Sequence, residues 1–299
     1  MTVISYLKLS KDCGMGCADE RQTRMPSGAE RSYDIGEKIF RVRETPAFIG
    51  RSGESPTTKE MIDLAFSKMQ SDSTYPQILE AFRTAYKTIR DDAFQKSMLD
   101  RYNTTWKEFH RGHMNPKLRK ELKEILESPR HFTASLMLGG YNSEAQEFQA
   151  HAIFYPGNTN ILETHSSIGT GADSADIVIG NALGSMDPNE RANIERYIGA
   201  RILMEATRAA WRNFGVGGRT QLVWTEGRNF FELDDDVSNL LNNALYCEKK
   251  GLLKREYVDG LLAKAIHDKA KAEQLLGDVM SQLATEEMMK IFWVKSLHV

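Results

Sequence analysis

The chain has 299 residues, of which 41% are hydrophobic and 27% are charged, and its formal net charge is -2. This composition is typical of a globular protein that buries a sizeable core in one or two domains. The small net charge argues against a nucleic-acid partner, which is normally held by a strongly basic surface. No apolar run reaches the ~18 residues of a membrane-spanning helix, so we expect no membrane partner.

Cysteine usage bears on the cellular compartment and on metal binding. Cys13, Cys17 and Cys247 are too few for a disulfide framework and favour a reducing cytoplasm. The N-terminus lacks the basic stretch and apolar core of a secretory signal. Cys13 and Cys17 lack the spacing and the second pair of a zinc or redox motif. We therefore predict a cytoplasmic protein that needs no metal and no cofactor.

Strands are predicted through the first part of the chain. The alternating segment 2–9 and the segment 14–18 flank a polar turn, which is typical of a hairpin. Segments 38–43 and 46–50 predict a second hairpin. A helix is expected to begin at Ser55-Pro56-Thr57.

The middle of the chain changes from helical to strand-like patterns. Residues 76–127 are mostly helical in pattern, with breaks at Gly112 and Asn115-Pro116. A strand is predicted at 132–138, and the Gly-Gly-Tyr-Asn sequence at 139–142 predicts a turn.

Further strands and helices are predicted after residue 146. A strand covers 147–155, a helix follows Gly171, and another strand covers 220–225. Asp187-Pro188 has the residues of a helix start. The apolar face of that helix is formed by Ile194, Ile198, Ile202 and Ala206. From Asp234 onwards the pattern is helical, in three pieces. This order predicts a layered α+β fold in which two antiparallel sheets lie between helix layers.

Three residues near the N-terminus have the chemistry of an N-terminal-nucleophile hydrolase. Removal of Met1 would give Thr2 a free amine beside its own hydroxyl. Such an amine has a pKa of ~7.7–8.0, so it can act as the base that a threonine nucleophile needs. The positive charge of Lys38 would disfavour protonation of that amine, and Asp19 would hold the lysine in place.

Four segments together resemble the proteasome β-subunit family and, more closely, its simpler bacterial relative. The segment 18–23, Ala-Asp-Glu-Arg-Gln-Thr, resembles the family's Ala-Asp-x-Arg-x-Thr, offset by one residue in the preceding turn. Lys-Ile-Phe at 38–40 is similar to its lysine strand. Gly-Arg-Ser-Gly at 50–53 lies where the family has its oxyanion glycine. Ile-Gly-Thr-Gly at 168–171 resembles its Gly-Ser-Gly turn.

The resemblance implies a role for each matching residue. Thr2, Asp19 and Lys38 would be catalytic, the Gly53 amide would hold the oxyanion, and Thr170 would bond the terminal amine. Arg21 and Arg51 would contact the substrate. Near Gly-Gly at 217–218 the family often has Asp and Ser, whereas this chain has Asn213 and Val216.

The resemblance also implies a fold, an activity and partners. The fold would be a four-layer αββα sandwich over residues 1–233, with a helical insertion around 73–130 and a helical extension at 234–299. The activity would be that of an N-terminal threonine peptidase that acts through an acyl-enzyme. Alternatives are an amidase or acyl transferase with the same nucleophile, or an inactive ring or scaffold subunit. The expected partners are unfolded protein or peptide substrates, further copies in a homo-oligomeric ring, and an ATP-driven unfoldase.

Overall fold

A computed structural model of the protein describes residues 2–20, 22–24, 31–33, 36–53, 55–112, 114–128, 132–212 and 216–282. It is a mixed α/β structure with two antiparallel sheets and helices. Its strands are β1 (Ile4–Lys8), β2 (Cys13–Asp19), β3 (Gln22–Arg24), β4 (Arg31–Tyr33), β5 (Ile39–Arg41), β6 (Ala47–Ser52), β7 (Ser135–Asn142), β8 (Glu147–Phe154), β9 (Asn158–Ile161), β10 (His165–Ile168), β11 (Thr220–Glu226) and β12 (Asn229–Glu232).

The strands form two five-stranded sheets and a small hairpin. The first sheet has the order β10-β1-β2-β11-β12, and the second has the order β5-β6-β7-β8-β9. All neighbouring strands in both sheets are antiparallel. Among the described strands, β3 and β4 form a separate two-stranded hairpin. The two predicted hairpins, β1–β2 and β5–β6, are confirmed.

Helices follow the strands in three groups. They are α1 (Ser55–Ser67), α2 (Tyr75–Phe94), α3 (Trp106–Arg111), α4 (Pro116–Glu127), α5 (Ala172–Gly184), α6 (Pro188–Ala192), α7 (Arg196–Ala210), α8 (Asp235–Lys249), α9 (Arg255–His267) and α10 (Ala272–Gln282). A π-helical turn, Gln95–Leu99, and a 3₁₀ turn, Asp100–Tyr102, extend α2. The predicted breaks at Gly112 and Asn115-Pro116 are confirmed, since Gly112 ends α3 in a left-handed conformation and Asn115 caps α4.

Side-chain alternation divides the core into separate apolar clusters. Leu7 of β1 and Val3, just before this strand, belong to a cluster shared with α5 and α7 to α10. From β6, Ile49 points into a second cluster, shared with α1 and α2. Ile4 and Tyr6 point the other way, into a third cluster that contains side chains of both sheets. A period of two in each strand is what separates these faces.

The turn predicted at residues 139–142 is wrong, because β7 continues through them to Asn142. Both glycines allow another strand or ring to approach closely. A methyl group at Gly139 would lie 2.5 Å from the Phe48 ring, and one at Gly140 would lie 2.6 Å from Ala47 Cβ. These glycines therefore serve close packing of β7 against β6, and not a reversal of the chain.

The single helix predicted from Asp187 onwards begins where expected, but the structure has two helices in its place. Asp187 accepts hydrogen bonds from Asn189 and Glu190 and caps α6. The helix ends after five residues, and α7 begins only at Arg196. Between them the amide of Ile194 donates to the carbonyl of Leu9 at 2.8 Å, which ties this break to the end of β1. A tertiary hydrogen bond therefore overrides the helical periodicity.

The C-terminal helices and the central helical segment pack differently. Residues of α8, α9 and α10 belong to the same apolar cluster as β1, β2 and α7. Phe94, Leu99, Phe109 and Leu122 form a separate small cluster between the end of α2, α3 and α4. In the part of the chain that the structure describes, no helix has both the length and the apolar character needed to cross a bilayer.

Candidate active site

Asp19 is the centre of a buried polar cluster at the end of β2. Its side chain is fully buried. One carboxylate oxygen accepts the amide of Val3 at 2.7 Å and lies 2.9 Å from Nζ of Lys38, and the other accepts the amide of Gly217 at 3.0 Å. Three donors from three segments thus converge on one carboxylate, which is the condition for burying a negative charge at an acceptable cost.

Lys38 comes from the chain just before β5 and is itself buried. Burial lowers the pKa of Lys38, while the adjacent Asp19 carboxylate opposes this; the Arg51 guanidinium lowers the pKa further. Its backbone is held as firmly as its side chain, because the amides of Lys38 and Ile39 both donate to the Gln221 side chain at 2.7 and 3.1 Å. The ammonium group therefore has a fixed position beside Asp19.

Thr2 lies next to this pair, and only 7% of its surface is exposed. Its neighbour Val3 donates to Asp19, and its own carbonyl accepts the amide of Gly171 at 3.2 Å. A methyl group at Gly169 would lie 2.3 Å from the Thr2 carbonyl oxygen and 2.9 Å from Oγ of Ser52. The start of β1, the end of β6 and the turn before α5 therefore meet at this point.

The predicted oxyanion glycine, Gly53, directly follows β6 in a left-handed conformation, with φ of 106°. A methyl group there would lie 2.6 Å from the carbonyl oxygen of Thr133, so this position requires glycine for space as well as for conformation. Its neighbour Ser52 lies beside Thr2 at the Gly169 contact. Arg51 is half-buried, donates to the Glu37 carbonyl at 3.2 Å and stacks on the Phe40 ring.

The remaining predicted residues have different outcomes. Thr170 is exposed in the turn between β10 and α5, next to Gly171 and its bond to Thr2. Val216 is buried in the apolar cluster behind the first sheet. Arg21 and Asn213 lie outside the described residues, as does Met1.

Two groups in this cluster were missed by sequence reasoning. Gln221 orients the lysine segment, and its signal is a long polar side chain next to the apolar residues Leu222, Val223 and Trp224 of β11. The Gly217 amide completes the shell of Asp19, but a backbone donor leaves no trace in the side-chain pattern.

Glu20, directly after Asp19, is a second buried carboxylate. Only 7% of its surface is exposed, and it makes no side-chain hydrogen bond to any residue that the structure describes. Burial raises the pKa of Glu20 to about 7, and the nearby Asp235 carboxylate adds to this rise, whereas Arg219 and Lys38 oppose it.

Within the described ranges, no group of three His, Cys, Asp or Glu side chains is arranged to hold a metal ion. A search against models of known protein families found no match, and no curated protein matches the chain. The resemblance to the proteasome β-subunit family rests on the residues quoted above alone.

Proposed function

We propose that the protein is an N-terminal threonine hydrolase, a peptidase of proteasome type, that acts through Thr2 after removal of Met1. The observation that carries the proposal is the buried Asp19 carboxylate, which bonds the Val3 amide and contacts Nζ of Lys38 at 2.9 Å. Any buried carboxylate needs hydrogen-bond donors, but here one donor is the amide directly after residue 2, so the same carboxylate holds both the start of the chain and the ammonium group. This is the arrangement that an enzyme with an N-terminal nucleophile beside an ammonium group requires.

The charges around Thr2 suit an amine base. A fixed ammonium group disfavours a second positive charge nearby, so Lys38 would keep the terminal amine neutral near pH 7. Asp19 would keep Lys38 charged, against the burial that lowers its pKa. The neutral amine can then accept the Thr2 hydroxyl proton, directly or through water.

The reaction would proceed in two steps. The Thr2 oxygen forms a bond to the substrate carbonyl carbon, and the amide carbonyl becomes an oxyanion held by the Gly53 amide, a contact worth about 3 kcal/mol. The C–N bond then breaks, and the leaving amine takes the proton from the terminal amine. Water attacks the resulting ester, and the Thr2 hydroxyl is restored.

The proposal includes a fold and an assembly. We infer that α1 and α2, the second sheet, the first sheet, and α5 with α7 form the four layers of an αββα sandwich. The three separate apolar clusters support this order, because the cluster with side chains of both sheets differs from the two that contain helices. A homo-oligomeric ring that encloses the site, served by an unfoldase, would restrict access to unfolded chains.

The proposal is tested by intact mass and covalent labelling. We expect the purified protein to lack Met1 and to gain the mass of one peptide vinyl sulfone or epoxyketone, attached at Thr2. Thr2→Ala should abolish labelling and peptide hydrolysis without altering the circular dichroism spectrum. Retention of Met1, or unchanged turnover in the Thr2→Ala variant, would sink the nucleophile assignment. Added amines would separate a transferase, which forms new amides, from a hydrolase.

One observation favours a second candidate, an inactive scaffold subunit. Val216 fills apolar space at a position where the resemblance calls for a serine near the terminal amine. For a scaffold, the Asp19–Lys38 pair would only hold the end of β2 to β5. Intact mass with Met1 retained would support this alternative.

A further inference from the structure

A cavity of about 220 Å³ lies at the end of β1 that is farther from Thr2. Lys8 ends this strand, and the turn from Leu9 to Lys11 forms one wall of the cavity. The end of α5, the end of α6 with the break after it, and the chain before β10 form the other walls. Thr2 is at the opposite end of an extended segment, roughly 20 Å away. The cavity is therefore separate from the candidate active site.

Backbone hydrogen bonds between distant segments hold the walls of this cavity in place. The amide of Lys8 donates to the carbonyl of Thr164 at 2.7 Å, which joins the end of β1 to the chain before β10. The amide of Ile194 donates to the carbonyl of Leu9 at 2.8 Å, which joins the same end to the break between α6 and α7. The cavity is therefore formed by the fold of the backbone and not by the position of one flexible side chain.

The charged residues of the cavity walls are all basic. Of the described residues that line it, Lys8, Lys11 and Arg191 are cations and none is an acid. Lys8 also lies 3.8 Å from Glu147, and Nε of Arg191 donates to the carbonyl of Met186 at 3.2 Å. These contacts leave donors for a ligand, because an ammonium group has three N–H donors and a guanidinium group has five. Cations gathered around one cavity favour an anion inside it.

The floor of the cavity is apolar. It is formed by Leu9, Leu183 and Ile194, which are all buried. A hydrocarbon chain that covers this floor gains from leaving water, whereas an inorganic anion gains nothing from it. The volume is about seven times the share of one water molecule in the liquid, so the cavity has room for roughly eight to ten non-hydrogen atoms.

We propose that this cavity binds a small amphiphilic anion, which has a carboxylate or phosphate head group and a hydrocarbon tail of about five or six carbon atoms. The head group lies among Lys8, Lys11 and Arg191, and the tail lies on the apolar floor. The inference does not depend on the proposed function, because no step at Thr2 involves the cavity.

Four probes of equal chain length test this assignment: hexanoate, hexyl phosphate, hexylamine and 1-hexanol. Binding to the full chain is followed by the NMR chemical shifts of isotope-labelled leucine and isoleucine methyl groups. We expect an anion to bind with a Kd on the order of 0.1–1 mM and to shift the methyl signals of Leu9, Leu183 and Ile194. 1-Hexanol should bind more weakly by about fivefold or more, and hexylamine most weakly.

A pair of double variants identifies the groups responsible. Lys11→Gln with Arg191→Gln, both exposed, should weaken binding of the anion by about tenfold and that of 1-hexanol little, because the floor is kept. Lys59→Gln with Lys120→Gln removes as much charge from side chains that are 69% and 80% exposed on α1 and α4. This control should leave all four affinities unchanged, and thermal unfolding checks that both double variants fold.

The outcomes decide both the site and the head group. Tighter binding of hexanoate identifies a carboxylate ligand, and tighter binding of hexyl phosphate identifies a phosphate ester. The proposal is overturned if neither anion shifts the three methyl signals, if 1-hexanol or hexylamine binds as tightly as the anions, or if the Lys11→Gln, Arg191→Gln protein keeps full affinity. Because Thr2 labelling is measured separately, loss of this site leaves the hydrolase proposal untouched, and the reverse also holds.

Discussion

Glu20 gives the candidate site a pH-dependent cost in stability. Its pKa of about 7 in the folded protein is above the ~4.3 of an unfolded glutamate, so the folded state keeps a proton that the unfolded state loses. The cost is therefore small at pH 4, grows as the pH rises, and is complete above pH 7. Glu20→Gln removes it, and we expect the variant to be more stable than the parent by about 1–3 kcal/mol at pH 8.

Urea unfolding at pH 5 and pH 8 measures this effect. The gain from Glu20→Gln should be much smaller at pH 5, where the parent carboxyl is largely protonated when folded. An equal gain at both values would mean that ionisation of Glu20 is not its cause. Glu44→Gln, on an exposed turn, is the matched control and should change stability little at either pH.

Single substitutions at Asp19 or Lys38 should overstate how much the ion pair contributes to stability, because each leaves the other charge buried. Lys38→Met leaves a buried carboxylate without its cation, and Asp19→Asn leaves a buried ammonium group; each should cost about 3–5 kcal/mol. The double variant removes both charges, so its cost should be well below the sum. Urea unfolding of the four proteins gives the coupling energy directly. Simple additivity would show that the two groups do not interact in solution.

Residue-level prediction from sequence was strongest where each of the residues that meet lies in a recognisable motif near the N-terminus. The Asp at position 19 and the Lys at position 38 were both expected near the start of β1, and the structure places them 2.9 Å apart. Gln221 and Gly217 escaped notice because they follow almost 200 residues later and carry no recognisable spacing. Gly217 and Gln221 come close to Asp19 because β11 pairs with β2. This long-range pairing cannot be inferred from a single sequence.

At the scale of elements, glycine was the hardest residue to interpret. Gly139 and Gly140 were expected to form a turn, yet they lie inside β7 against Phe48 and Ala47. Gly112 was expected to end a helix, and it does. The same residue type provides either a left-handed backbone or room for a neighbour, and only the neighbour, which lies far away in sequence, tells which.

Gly169 provides both a left-handed backbone and room for a neighbour, so a substitution there tests how β1, β6 and α5 meet at the site. It has φ of 97°, and a methyl group there would lie 2.3 Å from the Thr2 carbonyl oxygen. Gly169→Ala should therefore displace Thr2, with a loss of about 1–3 kcal/mol in stability and of about 100-fold in the rate of labelling at Thr2.

Gly180, in the middle of α5, offers the matched control for Gly169. Apart from its two neighbours and the backbone of its own helix, no atom of the described residues lies within 4 Å of a methyl group placed there, so Gly180→Ala should stabilise the helix by about 0.5–1 kcal/mol and leave labelling unchanged. Thermal unfolding and the time course of vinyl sulfone labelling measure the two effects. Normal labelling in Gly169→Ala would show that Thr2 does not depend on this contact.

At the scale of the whole molecule, one buried arginine joins the C-terminal helices to α7. Arg201 contacts Asp259 on α9 at 2.6 Å, Glu248 on α8 at 2.7 Å, and Glu205 on α7 itself at 3.0 Å. The sequence showed three helical pieces after residue 234, but not that they would attach here, since a lone arginine in a helical pattern reads as a solvated side chain. Apolar side chains of α8 to α10 complete the same contact surface.

Arg201→Met should destabilise the protein by about 3–5 kcal/mol, because three carboxylates on three helices would lose the buried cation that they share. Arg255→Met is the matched control: Arg255 also contacts Asp259, at 3.8 Å, but its side chain is 70% exposed, so the cost should stay below about 1 kcal/mol. Urea unfolding compares the two variants, and limited proteolysis should release the C-terminal helices first in Arg201→Met. Equal costs for both arginines would show that burial of the guanidinium does not determine how these helices are held, and that the apolar contacts alone attach them.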